Sequence, residues 1–152
     1  MDIFSKEMLY AGGAWVRPNL TSNGILGGNS FAVSGFTDAW KCVDNSDSTY
    51  CLIPRNQTYT FYNPTPLNVT LVNFIFTGTG SVSRASSGQA SNDGSSWTNL
   101  NYTYNANNQG VVKNISINIT NNNFYKYYRF SIYTTPSSGV NVTDIQITAK
   151  EQ

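Results

Sequence analysis

The stretch ASSGQASNDGSSWT, Ala85 to Thr98, holds Ser91-Asn92-Asp93-Gly94 with Trp97 three residues on. Asp bonds its own downstream backbone and Gly accepts positive φ, so the chain reverses here between two short strands. Trp97 is expected to re-enter the core after the turn.

Working outward, strand-like stretches recur at short spacing, separated by Gly, Asn, Pro and Ser clusters. Before the turn they are Ser30 to Ser34, Cys51 to Pro54, Gln57 to Tyr62, Leu67 to Thr77 and Val82 to Ala90. After it come Asn99 to Tyr104, Val111 to Ile119, Tyr127 to Thr134 and Val142 to Ala149. This is all-β spacing. Asn114 to Thr120 alternates strictly, placing Ile115, Ile117 and Ile119 on one face, and Val142 to Thr148 alternates over its second half. Pro64 and Pro66 break the Tyr62 to Leu67 junction, so a turn or an edge is expected there. No internal repeat is present, and no helix longer than two turns is expected.

Four blocks stand in a telling order: Cys42-Val43-Asp44-Asn45-Ser46-Asp47-Ser48-Thr49-Tyr50-Cys51, then Ser91 to Trp97, then Tyr127-Tyr128-Arg129-Phe130, then Asp144-Ile145-Gln146-Ile147. Together they resemble the discoidin-type domains (coagulation factor 5/8 type C), which are similar to the family 32 carbohydrate-binding modules. The resemblance runs from Pro18 to Lys150. It opens on Pro18-Asn19-Leu20-Thr21-Ser22-Asn23, which is similar to the opening of discoidin-like modules in bacteriophage tail and fibre proteins. Two departures stand in the first block: Asn45 follows Asp44 where the family has Gly, and Cys42 and Cys51 occupy its small-residue and Trp positions. The resemblance implies an all-β, antiparallel jelly-roll β-sandwich of galactose-binding-like type, with about eight strands. That domain would span residues 18–152, behind an extension of residues 1–17.

Composition bounds the function. The chain has 152 residues, no histidine and a net charge of +1; only 11% of residues are charged and 14% are aromatic. Low charge with many aromatics argues for a packed domain rather than disorder. No basic footprint exists for a phosphate backbone, so nucleic acid is not an expected partner. No apolar run is long enough to insert in a membrane, and the first residues do not resemble a secretory leader, so the protein is expected to be made in a cytoplasm. Without histidine, the Ser-His-Asp and Cys-His arrangements are absent. Asp38, Asp44, Asp47, Asp93 and Asp144 supply the carboxylates for any glycoside hydrolysis, and all suit turn or metal roles better, so no catalytic residue is assigned and no enzyme is expected. Seven Asn-x-Ser/Thr sequons carry little meaning without a secretory signal. Cys42 and Cys51 can bridge only if their Cα atoms come within about 7 Å; in a cytoplasmic product, reduced and packed thiols are expected.

The resemblance also implies sites. In the family the Asp44 loop commonly wraps a structural Ca²⁺, for which Asp44, Asp47, Thr49 and Asp144 would give side-chain oxygens and Lys41 a carbonyl. The alternative is an ion-free loop closed by its own hydrogen bonds. For carbohydrate, Trp40 and Arg84 lead the candidates by position, joined by Tyr50, Arg55, Asn107 and Trp15, whose rings and polar groups suit a pyranose. Arg129 is expected to be structural.

Ile3, Phe4, Met8, Leu9 and Trp15 are too many apolar side chains for a solvated tail, so residues 1–17 are expected to dock either on their own domain or on other subunits of a larger assembly, the second being the reading carried forward. With the phage-like opening, this gives a non-enzymatic virion protein of tail, fibre or capsid decoration, binding host-surface glycans. The alternatives are a purely structural virion subunit, or an accessory carbohydrate-binding module. The accessory module is ranked last because the chain opens on Met1 and closes just after its last strand-like stretch.

Overall fold

One strand belongs to both layers of this molecule. In the computed structural model, which describes residues 14–16 (backbone only), 20–35 and 37–152, the fourth strand runs unbroken from Tyr59 to Thr77. Its first part, Tyr59 to Tyr62, pairs with the ninth strand; from Leu67 to Thr77 it pairs with the tenth. Pro64 and Pro66 cause the change. Neither has an N–H to continue a ladder, and the register jumps between Tyr62 and Leu67.

The strands are β1 Ala14–Val16, β2 Ala32–Ser34, β3 Cys51–Ile53, β4 Tyr59–Thr77, β5 Ser81–Ser91, β6 Thr98–Asn99, β7 Asn101–Asn107, β8 Lys113–Thr120, β9 Tyr125–Thr135 and β10 Val140–Glu151. A 3-10 turn covers Ala39–Cys42. The first sheet is β2, β4, β9, β5, β6; the second sets β1 and β3 beside β10, followed by β4, β8 and β7. All pairings are antiparallel. This is the expected jelly-roll sandwich, with ten strands among the described residues.

Period-two alternation fills the space between the layers. Ile115, Ile117 and Ile119 of β8, Val72, Phe74 and Phe76 of β4, and Ile145 and Ile147 of β10 are buried. They face Phe61, Tyr128, Phe130 and Ile132. Phe61 stacks on Phe31, Tyr128 and Phe130 at 6.0, 5.5 and 6.1 Å between ring centres. Each such side chain, buried, contributes about 1.5–3 kcal/mol. Tyr128 also ties the sheets at the β4 crossing. Its hydroxyl donates to the Leu67 carbonyl (2.6 Å) and accepts from the Val69 N–H (3.3 Å) and from Asn121 Nδ2 (3.2 Å). Burial pushes its pKa up to about 12.

Two expectations are corrected. Trp97 does not re-enter the core. Its turn spans six residues, and β6 pairs with β5 only at Thr98 and Asn99, so Trp97 lies half-buried outside the first sheet. There it meets the Tyr127 ring edge-on at 6.4 Å, with the Arg129 guanidinium 3.9 Å from its ring centre. Cys42 and Cys51 form a disulfide, because the 3-10 turn and β3 bring their Cα atoms to 5.4 Å. Ala14–Val16, within the expected extension, pairs with Ile147 to Ala149 as an edge of the second sheet. The remaining apolar residues of the extension, Ile3, Phe4, Met8 and Leu9, fall outside the described residues, as does the Trp15 side chain.

Candidate functional site

Three loops meet at the end of the sandwich where β4 passes into β5: residues 54–58, 78–80 and 136–139. Arg55 N–H donates to the Ser137 carbonyl (3.1 Å), and Asn56 N–H to that of Ile132 (2.8 Å), folding the 54–58 loop over the end of β9. Asn56, at φ 60, takes the left-handed turn that Asn tolerates. Along β9, Tyr128, Phe130 and Ile132 point inward, so Tyr127, Arg129 and Tyr133 point out.

Arg84 is the direct cross-strand partner of Tyr133, set there by register shifts on either side of the Arg84–Ala85 pair. Its guanidinium lies 4.1 Å from the Tyr133 ring centre, and that of Arg55 lies 4.3 Å from the same ring. Arg55 Nε donates to the Thr134 carbonyl at 2.7 Å, which fixes its plane. Ser86 Oγ donates to Asn56 Oδ1 at 2.6 Å beside them. Among the described residues the one ion pair is Lys41 with Asp38, so neither arginine has a carboxylate partner. Arg84, exposed, makes no hydrogen bond there either.

The structure therefore brings two of the sequence candidates, Arg55 and Arg84, onto Tyr133, which sequence reasoning missed along with Asn56 and Ser86. No local pattern marks these three; only the β5–β9 register makes them neighbours. Asn107 serves a turn, its Oδ1 accepting the Gln109 N–H at 3.0 Å. Its neighbour Asn108 clamps the Val82 backbone through Oδ1 (2.9 Å) and Nδ2 (2.8 Å), holding this turn at the start of β5.

Trp40 and Tyr50 stand elsewhere. Trp40 packs partly against the core, its backbone N–H donating to Asn23 Oδ1 (2.9 Å) and Lys41 Nζ standing 5.7 Å from its ring. Tyr50, 52% exposed, lines a cleft of about 460 Å³ with Lys41 and Leu52, which neither arginine reaches. A larger cleft of about 700 Å³, between Pro66, Asn92, Tyr125 and Lys126, lies at the opposite end. Its Asn92 is committed to the backbone: Oδ1 accepts from Lys126 N–H, and Nδ2 donates to the Phe124 carbonyl.

The metal candidates divide. Asp44 Oδ1 accepts the Ser46 N–H (3.1 Å) and Oδ2 accepts the Thr49 hydroxyl. Asn45 takes φ 59 in the place of the family's Gly, which suits both residues. Asp47 and the buried Asp144 share the wall of another cleft, of about 350 Å³, with Thr143 and Gln146. Lys41 Nζ donates to Asp38 Oδ2 at 2.8 Å, a bond that lowers the Asp38 carboxyl pKa. No three acidic, His or Cys side chains gather among the described residues. As folded, the Asp44 loop closes on its own hydrogen bonds. Asp93 is likewise a turn residue, its Oδ1 accepting from the Ser96 N–H (2.7 Å), the Ser95 N–H (2.8 Å) and the Ser91 hydroxyl (2.9 Å). Those donors hold its carboxyl well below the usual carboxylate range.

No family model matches the chain, and no curated protein matches it. Solved structures do. A family 32 carbohydrate-binding module from a family 31 glycoside hydrolase of Clostridium perfringens superposes with a TM-score of 0.52 at 18% identity, covering 78% of this chain and 93% of the module. The shared fold is that of these modules. Another from the same organism, the sixth such module of a family 89 glycoside hydrolase, gives 0.55 at 17% identity over 80% of this chain and 94% of its own. The corresponding module of AlyQ, solved with 4,5-unsaturated mannuronic acid, gives 0.53 at 13% identity over 78% and 92%.

Proposed function

We propose that the domain is a non-catalytic carbohydrate-binding module whose site is the Arg55–Tyr133–Arg84 cluster. The observation that carries this is the convergence of two guanidiniums on one ring without a carboxylate to neutralise them. Both guanidiniums lie against the one Tyr133 ring, 4.3 and 4.1 Å from its centre. Asn56 and Ser86 stand beside them, so hydroxyl-rich ligands meet donors and acceptors at one loop end. The fold shared with family 32 modules supports the same reading. Screening the purified protein against immobilised polysaccharides tests it: binding to a glycan is expected, and it is lost in Arg84→Ala. Silence across the panel contradicts it.

The setting is a separate proposal. The Pro18 to Asn23 opening supports a phage tail or fibre module, docked through the leading residues on other virion subunits and made in the host cytoplasm. The accessory-module alternative has more support, since the structures resembling this fold include modules of glycoside hydrolases and of AlyQ, a protein with an alginate lyase domain. Detection of the protein in purified particles would favour the first; a catalytic domain in the same polypeptide would favour the second.

A further inference from the structure

The strands of the first sheet differ from the rest of the chain in charge. β5, β6 and β9, with β2 and the Tyr59 to Tyr62 part of β4, carry Arg84, Lys126 and Arg129 and no Asp or Glu. Arg55 joins them from the loop over β9. Two stations stand on the outer face. One is Arg84 and Arg55 on Tyr133; the other is Arg129 on Trp97, its Nε donating to Gln89 Oε1 at 2.7 Å. Between them Ser87 and Ser131 hydroxyls meet at 2.6 Å. Residues 129 and 133 are four apart on one strand, so the stations are separated by roughly 13 Å. None of the three arginines has an ion pair among the described residues.

A guanidinium held against an aromatic ring keeps donors free to bond a carboxylate through two parallel bonds. We infer that this face takes an acidic polysaccharide, with uronate carboxylates seated at both stations and the chain lying along β9. The inference rests on the carbohydrate-binding reading and names its ligand class. No single sugar ring spans both stations, so an oligomer is required, and the two contacts reinforce each other through effective concentration.

The test measures binding of the full chain to polygalacturonate and alginate, to methyl-esterified polygalacturonate, to a neutral galactan and to dextran sulfate. We expect binding to at least one polyuronate, weakened about tenfold or more by raising salt from 50 to 500 mM. Arg84→Ala and Arg129→Ala should each weaken it about tenfold or more, with Arg84→Lys recovering only part. Monomeric galacturonate should bind more weakly than the polymer. Equal binding to the esterified or neutral polymer, still dependent on Arg84, would overturn the acidic ligand and leave the carbohydrate site standing. Dextran sulfate binding as tightly as polyuronate would overturn carboxylate recognition. Failure to bind any polymer would remove both. Unchanged melting of the variants excludes misfolding as the cause.

Discussion

The Tyr128 hydroxyl lies 2.6 Å from the Leu67 carbonyl oxygen, joining the first sheet to the strand that has just left it. It also accepts the buried Val69 N–H. Replacing Tyr128 with Phe removes one oxygen and leaves both backbone groups without that partner in the interior. An unsatisfied buried polar group costs about 1–3 kcal/mol, so Tyr128→Phe should lower the melting temperature by about 3–10 °C in a domain of this size. Calorimetry checks it; an unchanged melt would mean that the crossing is held by the proline geometry alone.

The Cys42–Cys51 bridge closes a short loop, with a sequence separation of 9. Chain-entropy reasoning gives such a cross-link about 2.5–3 kcal/mol. Cys42→Ala with Cys51→Ala should therefore melt below the oxidised protein, and a reducing agent should lower the wild-type melt while leaving the variant unmoved. Mass spectrometry finding both thiols free in native protein would contradict the bridge.

Acid should find Asp93. Its carboxyl is held below the ordinary range by the N–H groups of Ser96 and Ser95 and the Ser91 hydroxyl. A depressed folded-state pKa contributes stability in full above the unfolded value, about 3.9, and loses it as pH falls through the folded one. Asp93→Asn should be less stable than wild type at pH 7, with the gap closing below pH ~4. A gap that stays constant to pH 2 would mean that charge is not what the turn uses.

Calcium should leave the protein unmoved. Both Asp44 oxygens accept hydrogen bonds within their own loop, and ligand binding to the native state alone must raise the melting temperature. Melts in EDTA and in millimolar Ca²⁺ should coincide. A rise with added Ca²⁺ that Asp44→Ala abolishes would show that the loop opens to take the ion.

The sandwich was legible because alternation is a local property: Ile115, Ile117 and Ile119 read as one buried face, and so they are. Pro64 and Pro66 marked the break, yet their neighbours read as two strands, since a ladder changing partners looks the same as one that ends. Arg55 and Arg84 were readable as residue types suited to a sugar; their meeting on Tyr133 was not. It depends on register shifts around Arg84 and on a loop arriving from another strand. Trp97 failed for a related reason, because a six-residue turn has no period to say which face its aromatic takes. For the cysteines, a compartment argument was set against Cα separation, and the fold decided by placing them 5.4 Å apart.

The central claim, a carbohydrate site on the Arg55–Tyr133–Arg84 cluster, is tested most directly by titrating the ¹⁵N-labelled protein with an oligosaccharide that the polysaccharide screen identifies. Amide and Arg Nε–H shifts should concentrate at Arg55, Asn56, Arg84, Ser86 and Tyr133, and should vanish in Arg84→Ala. Shifts confined to the Tyr50 cleft, or persisting unchanged in that variant, would contradict the claim.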